Sequence, residues 1–381
     1  MSAHAHVPLR GRYFTPVTVI CAGLVAAMAY WIFIRFTQGL GFVTNLNDGY
    51  PWGLWIAYDV VIGTAFACGG YSMALLVYIM NRGEYHPLVR PAILASMFGY
   101  SLGGASVLLD LGRWWNMWHI YWPGYAQPNS VMFEVAACIS AYIVILWLEF
   151  TPAFLERFGL KRIRALLNKV LWVFIALGVL LPSMHQSSLG TLMVVFGHQV
   201  HPLWQTNFLP LLYLTSAITM GFCIVIFEAT LSSAGFRRPS ETPLLAKLSR
   251  VVLVLLLAYL AMRFGDLWGS GKLDLLAGTD FKTRLFWGEI TLFAFPALIL
   301  AVPSWRQSAR ALFIAGIAML LAGSLYRVDT FLVAYDPGPE WSYFPSAPEM
   351  LVTFGIIALE VLAYIVFVRF FPVLHAEVSK G

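Results

Sequence analysis

Charge is what this sequence has least of. Of its 381 residues, 11% are Asp, Glu, Lys or Arg, whereas 60% are hydrophobic. An ordinary soluble domain carries about a quarter charged residues, so this chain has too few to coat a water-facing surface. A soluble globular enzyme is thereby excluded. The formal charge of +5 is no nucleic-acid signal, because the basic residues sit in short loops between apolar runs. Cysteine is scarce too. Cys21, Cys68, Cys138 and Cys223 are isolated inside apolar runs and form no CxxC pair, which argues against iron–sulfur or zinc ligation by this chain. There is no phosphate-binding loop and no nucleophile–base pair of recognisable spacing. Between Lys169 and Glu228 no charged residue occurs at all.

What the chain has is apolar runs. A helix needs about 20 such residues to cross a bilayer, and ten runs qualify: 15–37, 53–80, 90–111, 130–150, 167–184, 208–232, 245–267, 282–303, 309–334 and 348–371. Their length and continuity predict helices, since strands of a membrane barrel alternate and are about half as long. The first run lacks a cleavage site before YWIFIRF and is read as a helix, not a secretion signal. Tryptophan and tyrosine crowd the run ends, from Trp52 and Trp55 to Trp114, Trp115, Trp118, Tyr121 and Trp122, as interfacial belts do. Alternate loops and the two tails together hold 17 Lys and Arg, against 7 in the opposite set. The positive-inside rule then places both termini in the cytoplasm of a bacterial inner membrane.

Helices two to five and six to nine read as two copies of one unit. LLDLGRWW (108–115) matches MRFGDLW (262–268); VMFE, ending at Glu134, matches LFWGE, ending at Glu289; PSMHQSS matches GSLYRVDT. Both copies run the same way, a parallel repeat about the membrane normal. The expected architecture is all-α, two parallel four-helix bundles flanked by helices one and ten. Its parts are an N-terminal tail (1–14), helix one (15–37), a first bundle (53–190), an outer loop with the second bundle (191–334), helix ten (348–371) and a C-terminal tail (372–381).

An ionisable group inside a span is expensive and therefore a candidate for function. Asp59 on helix two, Asp110 closing helix three, Glu134 opening helix four and His185 closing helix five are expected at one depth on the outer side, converging on one pocket. Gln186 and Ser188 stand beside His185 in what reads as an uncharged loop. Each has a plainer reading. Asp110, three residues from Arg113, reads as half of a rim ion pair; Asp59 as an acceptor for aromatic neighbours; Glu134 as a first-turn acid; His185 as a satisfied terminal histidine. Tyr100 near the midplane and Glu228 toward the cytoplasmic end of helix six could carry protons inward. Glu360 reads as helix–helix glue, and the pairs Gly69–Gly70 and Gly103–Gly104 as close packing.

The eight histidines, His4, His6, His86, His119, His185, His198, His201 and His375, all fall in tails, loops or helix ends on this reading. Bis-histidine haem within the bilayer is therefore not expected. A lipid-facing pocket of carboxylates and imidazole suits a quinone, its carbonyl bonded by His185 while Glu134 and Asp59 handle protons. Electrons would arrive from a partner docked on the outer loops.

Those same stretches carry a resemblance. PWGLWIAYDVVIGTAFACGG (51–70), NRGEYHPLVRPAILASMFGYSLGG (81–104), LDLGRWWN (109–116), LPSMHQSSLGTL (181–192), HPLWQ (201–205) and YFPS (343–346) resemble the HybB-type membrane subunit of nickel–iron hydrogenases, within the NrfD and polysulfide-reductase family. The resemblance implies a haem-free, ten-helix, quinone-reactive subunit. It implies a periplasmic iron–sulfur protein as partner, linking the hydrogenase large and small subunits to menaquinone or ubiquinone. Tyr100, Glu134, His185 and Glu228 fall on family positions for proton handling and the quinone site. With Tyr326 and Arg327 where the first unit has His185, one quinone site is expected. The rivals are the same subunit serving a molybdenum or multihaem-cytochrome complex, a secondary transporter, or a passive anchor.

Overall fold

The computed structural model describes residues 8–9, 11–236 and 238–374. Ten helices in it are long and apolar enough to cross a membrane: α1 (Pro16–Gln38), α2 (Trp55–Ile79), α3 (Gly83–Asp110), α4 (Val131–Arg157), α5 (Lys161–Val195), α6 (Leu209–Gly235), α7 (Thr242–Gly269), α8 (Phe281–Ala301), α9 (Ala309–Val333) and α10 (Ala347–Phe370). No strand occurs among the described residues beyond a single bridge between Val200 and Tyr335. The chain is an all-α, multi-pass membrane protein. His4, His6 and His375 lie outside the described residues.

Two helices differ from expectation. α5 does not stop near residue 184; it runs unbroken through Pro182 and the whole of LPSMHQSSLGTL to Val195. His185, Gln186 and Ser188 are thus helical, not loop residues. A polar side chain is cheaper at membrane depth than an unpaired backbone, so the helix persists where its apolar pattern fades. α2 is the reverse case, one apolar run built from pieces. Trp55–Val60 and Leu75–Ile79 wind as π-helix, and the turns at Ala67 and Cys68 separate Gly63–Phe66 from Gly69–Ala74.

α2 is the central helix, with 83% of its most apolar stretch buried against 6% for α1. It packs on α3 and α6; α5 lies along α4 and α6, and α9 along α6 and α8. α1 pairs with α10, which also touches α3. Small residues permit the close approach. A methyl at Gly221 would stand 2.5 Å from the Cys68 carbonyl oxygen, and one at Gly103 2.8 Å from that of Asp59. Long connections (39–54, 111–130, 196–208, 270–280 and 334–346) gather at one face, short ones at the other.

On the long-loop face one carboxylate ties three segments together. Glu349, 1% exposed, accepts from the amides of Asn45 and Ser346 at 3.0 and 2.8 Å and from the Tyr343 hydroxyl at 2.5 Å. Ser346 in turn caps α10. This makes the YFPS segment a clasp between α10 and the loop after α1.

Candidate functional site

His185 sits ten residues before the end of α5, about 15 Å along the axis from the long-loop end. It is fully buried. Its Nε2 lies 3.0 Å from Oγ1 of Thr64, a residue in the short α-helical piece of α2. The Thr64 hydroxyl donates its own hydrogen to the Val60 carbonyl at 2.5 Å. It therefore accepts from its other neighbours, Nε2–H of His185 and Nε2–H of Gln186 at 3.1 Å. A hydroxyl has two lone pairs, and both are used. This network assigns the neutral ring its proton on Nε2 and leaves Nδ1 as a bare acceptor. Nδ1 is buried and has no hydrogen-bond partner among the described residues.

Gln186 extends the set across the molecule. Its Oε1 accepts from Nη2 of Arg327 on α9 at 3.0 Å, and the same nitrogen reaches the Tyr213 carbonyl at 3.3 Å. The fully buried guanidinium stacks over the Tyr213 ring at 4.7 Å. On the opposite side Tyr100 meets the His185 ring edge-on, centroids 5.9 Å apart, and Tyr142 at 4.5 Å. The Tyr100 hydroxyl donates toward Cys68 Sγ at 3.6 Å, since the thiol itself donates to the Thr64 carbonyl. An imidazole and an amide of α5, a hydroxyl of α2, a phenol of α3 and a guanidinium of α9 thus form one linked set, in which Nδ1 of His185 has no hydrogen-bond partner among the described residues.

The other expected members are elsewhere. Asp59 is buried but turns to α10, accepting from Thr353 at 3.1 Å. Asp110 forms no ion pair with Arg113, which is exposed. The cation near it is Arg35 of α1, buried and bonded to the carbonyls of Leu109 and Leu111. Glu134 is half-buried in the first turn of α4, and its carboxylate makes no hydrogen bond with any described residue. Glu228 accepts from the Tyr364 hydroxyl of α10, toward the short-loop face. Ser188 is buried on α5 away from the Thr64 contacts. A common depth does not hold. His185 lies two turns or more deeper than Glu134 because α5 continues past it. Thr64, Cys68 and Tyr142 escaped sequence reading, since such residues are unremarkable in any apolar run. Arg327 and Glu289 were visible as intramembrane charges, but not their surroundings. Glu289 accepts from Trp204 at 2.8 Å, close to a buried Arg263 that bonds to nothing among the described residues.

The model of the polysulphide reductase, NrfD, family matches residues 42–334. The chain belongs to the NrfD family. Across 98% of this chain and 96% of the relative, it is 47% identical to an Escherichia coli K12 protein named probable Ni/Fe-hydrogenase 2 b-type cytochrome subunit. It is 26% identical to a menaquinone reductase integral membrane subunit of Nitratidesulfovibrio vulgaris, over 89% of this chain and 87% of that one. An Hdr-like menaquinol oxidoreductase integral membrane subunit of Archaeoglobus fulgidus is 22% identical over 95% and 94%. By their names these relatives are subunits of redox complexes, the latter two integral membrane subunits.

The Escherichia coli name corrects one expectation. Absence of haem does not follow from the histidine pattern, because a relative so similar over its whole length is called a b-type cytochrome subunit. The donor set can be tested against such a group, which is commonly held by imidazole. Among the described residues His185 is the histidine buried inside a span; His198 and His201 are in loops, His119 in a loop turn and His86 at the exposed start of α3. These residues supply one deep imidazole, not a facing pair, so the described donors do not fit a bis-imidazole haem.

Proposed function

We propose that this chain is the quinone-reactive membrane subunit of a respiratory nickel–iron hydrogenase complex. Electrons from a periplasmic iron–sulfur partner reach menaquinone or ubiquinone beside His185, in the first four-helix group (53–190). The names of the hydrogenase and menaquinone relatives support the reading. The observation that carries it is the bare Nδ1 of a fully buried imidazole at membrane depth. Reduction of a quinone takes two electrons and two protons. A protonated Nδ1 donates to the quinone carbonyl; a neutral one accepts from the quinol hydroxyl. Thr64 and Gln186 keep the ring oriented in both states. Access from lipid runs along α5, where Met184 is exposed and Ser187 half-exposed beside the histidine. In this reading Glu134, half-exposed in the first turn of α4, guides the ring in and Asp110 closes the rim at the end of α3, while Asp59, bonded to Thr353, stands toward α10. The excess of Lys and Arg on the short-loop face puts both termini in the cytoplasm of the inner membrane.

The test is His185→Ala in the intact complex. Quinone reduction should fall by about two orders of magnitude or more, with dye-linked hydrogen oxidation by the partners unchanged. Wild-type quinone turnover in that variant would reduce the chain to an anchor. Mass spectrometry of the chains that copurify distinguishes a hydrogenase from a molybdenum or multihaem partner.

A further inference from the structure

The four helices α2 to α5 line a cavity of about 150 Å³, open at its rim, in the half nearer the short-loop face. Space of that size admits several waters. Its wall is largely apolar, with four polar side chains: Tyr78 of α2, His86 and Arg90 of α3, and Glu149 of α4. Tyr78 and His86 are exposed at the rim. Arg90 is engaged by the Pro372 carbonyl and Glu156. Glu149 differs. It lies inside the span, and its carboxylate forms no hydrogen bond or ion pair with any described residue. A methyl at Gly178 would stand 2.7 Å from its Oε1, so this glycine leaves the carboxylate its place. A carboxyl group in such a position is costly and calls for water as its partner.

The positions above it form a line. Tyr142 is seven residues before Glu149 on α4 and shares its face, about 10 Å nearer the long-loop side. His185 bears the same relation to Gly178 on α5. Between them the Tyr71 hydroxyl meets Ser183 Oγ at 2.7 Å, and Tyr142 packs on Tyr100, which packs on His185. Resting on the quinone reading above, we propose that this cavity is a hydrated proton well and Glu149 the proton-delivering group at its head. Each proton leaves the Glu149 carboxyl along water and the linked Tyr71 and Ser183 hydroxyls toward Nδ1 of His185, with the Tyr142 and Tyr100 rings walling the path. Solvent at the His86 rim restores it. Two such protons and two electrons from the partner convert quinone to quinol. Glu228, bonded to Tyr364 on the far side of α6, is outside this line.

The experiment uses the complex in liposomes. Glu149→Gln should lower the quinone reduction rate at least about ten-fold, with the quinone KM within about two-fold of wild type. Glu149→Asp, or formate as a small permeant acid added to the Gln variant, should restore part of the rate. Dye-linked hydrogen oxidation serves as the assembly control. Wild-type turnover by Glu149→Gln overturns the assignment, as does a slow variant that neither Asp nor formate rescues. The site reading fails differently: a His185→Ala complex that reduces quinone normally, while Glu149→Gln does not, removes the imidazole and keeps the well.

Discussion

The Thr64 hydroxyl oxygen stands 3.0 Å from Nε2 of His185, and its own hydrogen is committed to the Val60 carbonyl. One threonine in a broken stretch of α2 thus decides which ring nitrogen of a histidine 121 residues away is bare. The short helical piece Gly63–Phe66 between π-wound segments is what turns that side chain toward α5. π-turns recur at functional sites because they re-aim single side chains within a helix.

Replacing Thr64 by Val keeps the shape and removes both accepted bonds. We expect Thr64→Val to lose about 1–3 kcal/mol of stability, as two buried donors go unpaired. Quinone reduction should fall by more than a simple loss of stability explains, while Thr64→Ser stays near wild type. Steady-state quinone kinetics beside thermal unfolding in detergent separate the two effects.

The contact of α2 with α6 rests on Gly221. Gly221→Ala brings a methyl to 2.5 Å from the Cys68 carbonyl oxygen and 2.3 Å from the Ser72 Oγ. Such overpacking costs about 1–3 kcal/mol. Gly288 on α8 has nothing within 4 Å of the same added atom. Gly288→Ala should therefore be neutral or slightly stabilising, by up to about 1 kcal/mol through helix propensity. A lower unfolding temperature for the first variant but not the second, measured on the same preparation, checks the claim.

On the long-loop face His201 makes the protein sensitive to acid. Its Nδ1 accepts from the Leu203 amide at 3.4 Å, and its own amide bonds the Ala334 carbonyl at 2.8 Å. Burial, then the nearby Lys282, lowers its pKa from the ordinary 6.5. The folded state therefore binds less proton than the unfolded one between the lowered value and 6.5. Stability supplied by the neutral ring is complete above about pH 6.5 and declines as pH falls below it. Proteolysis of the 196–208 loop should quicken between pH 7 and 5 in the wild type, and that pH dependence should shrink in His201→Gln.

Much of this was legible in the chain alone. Ten spans were counted, and α1, α3, α4 and α6 to α10 stand close to where hydropathy drew them. α5 outruns its apolar pattern: the polar stretch around His185 reads as a loop, but the bilayer's demand for backbone pairing outweighs it. Of the candidate site, His185, Gln186 and Tyr100 do meet. Asp59, in the π-wound piece of α2 that precedes the α-helical piece holding Thr64, faces α10 instead, since π-winding rotates the helix away from the 100° step a regular one would give. Glu134 and Glu289 occupy matching places in the two apparent repeats. One is half-exposed and unbonded, the other sealed against Trp204, a difference no motif encodes.

The sequence by itself determined that the chain lives in a membrane, how many times it crosses, and where along it the few costly polar groups fall. Those follow from sums over neighbouring residues, because transfer of a span into lipid is a local, nearly additive free energy. Tertiary structure alone decided which of those groups share a site, which nitrogen of His185 is bare, and that Glu149 heads a cavity. Such outcomes depend on how each helix is rotated and how closely it approaches the next, and residues far apart in the chain set both together.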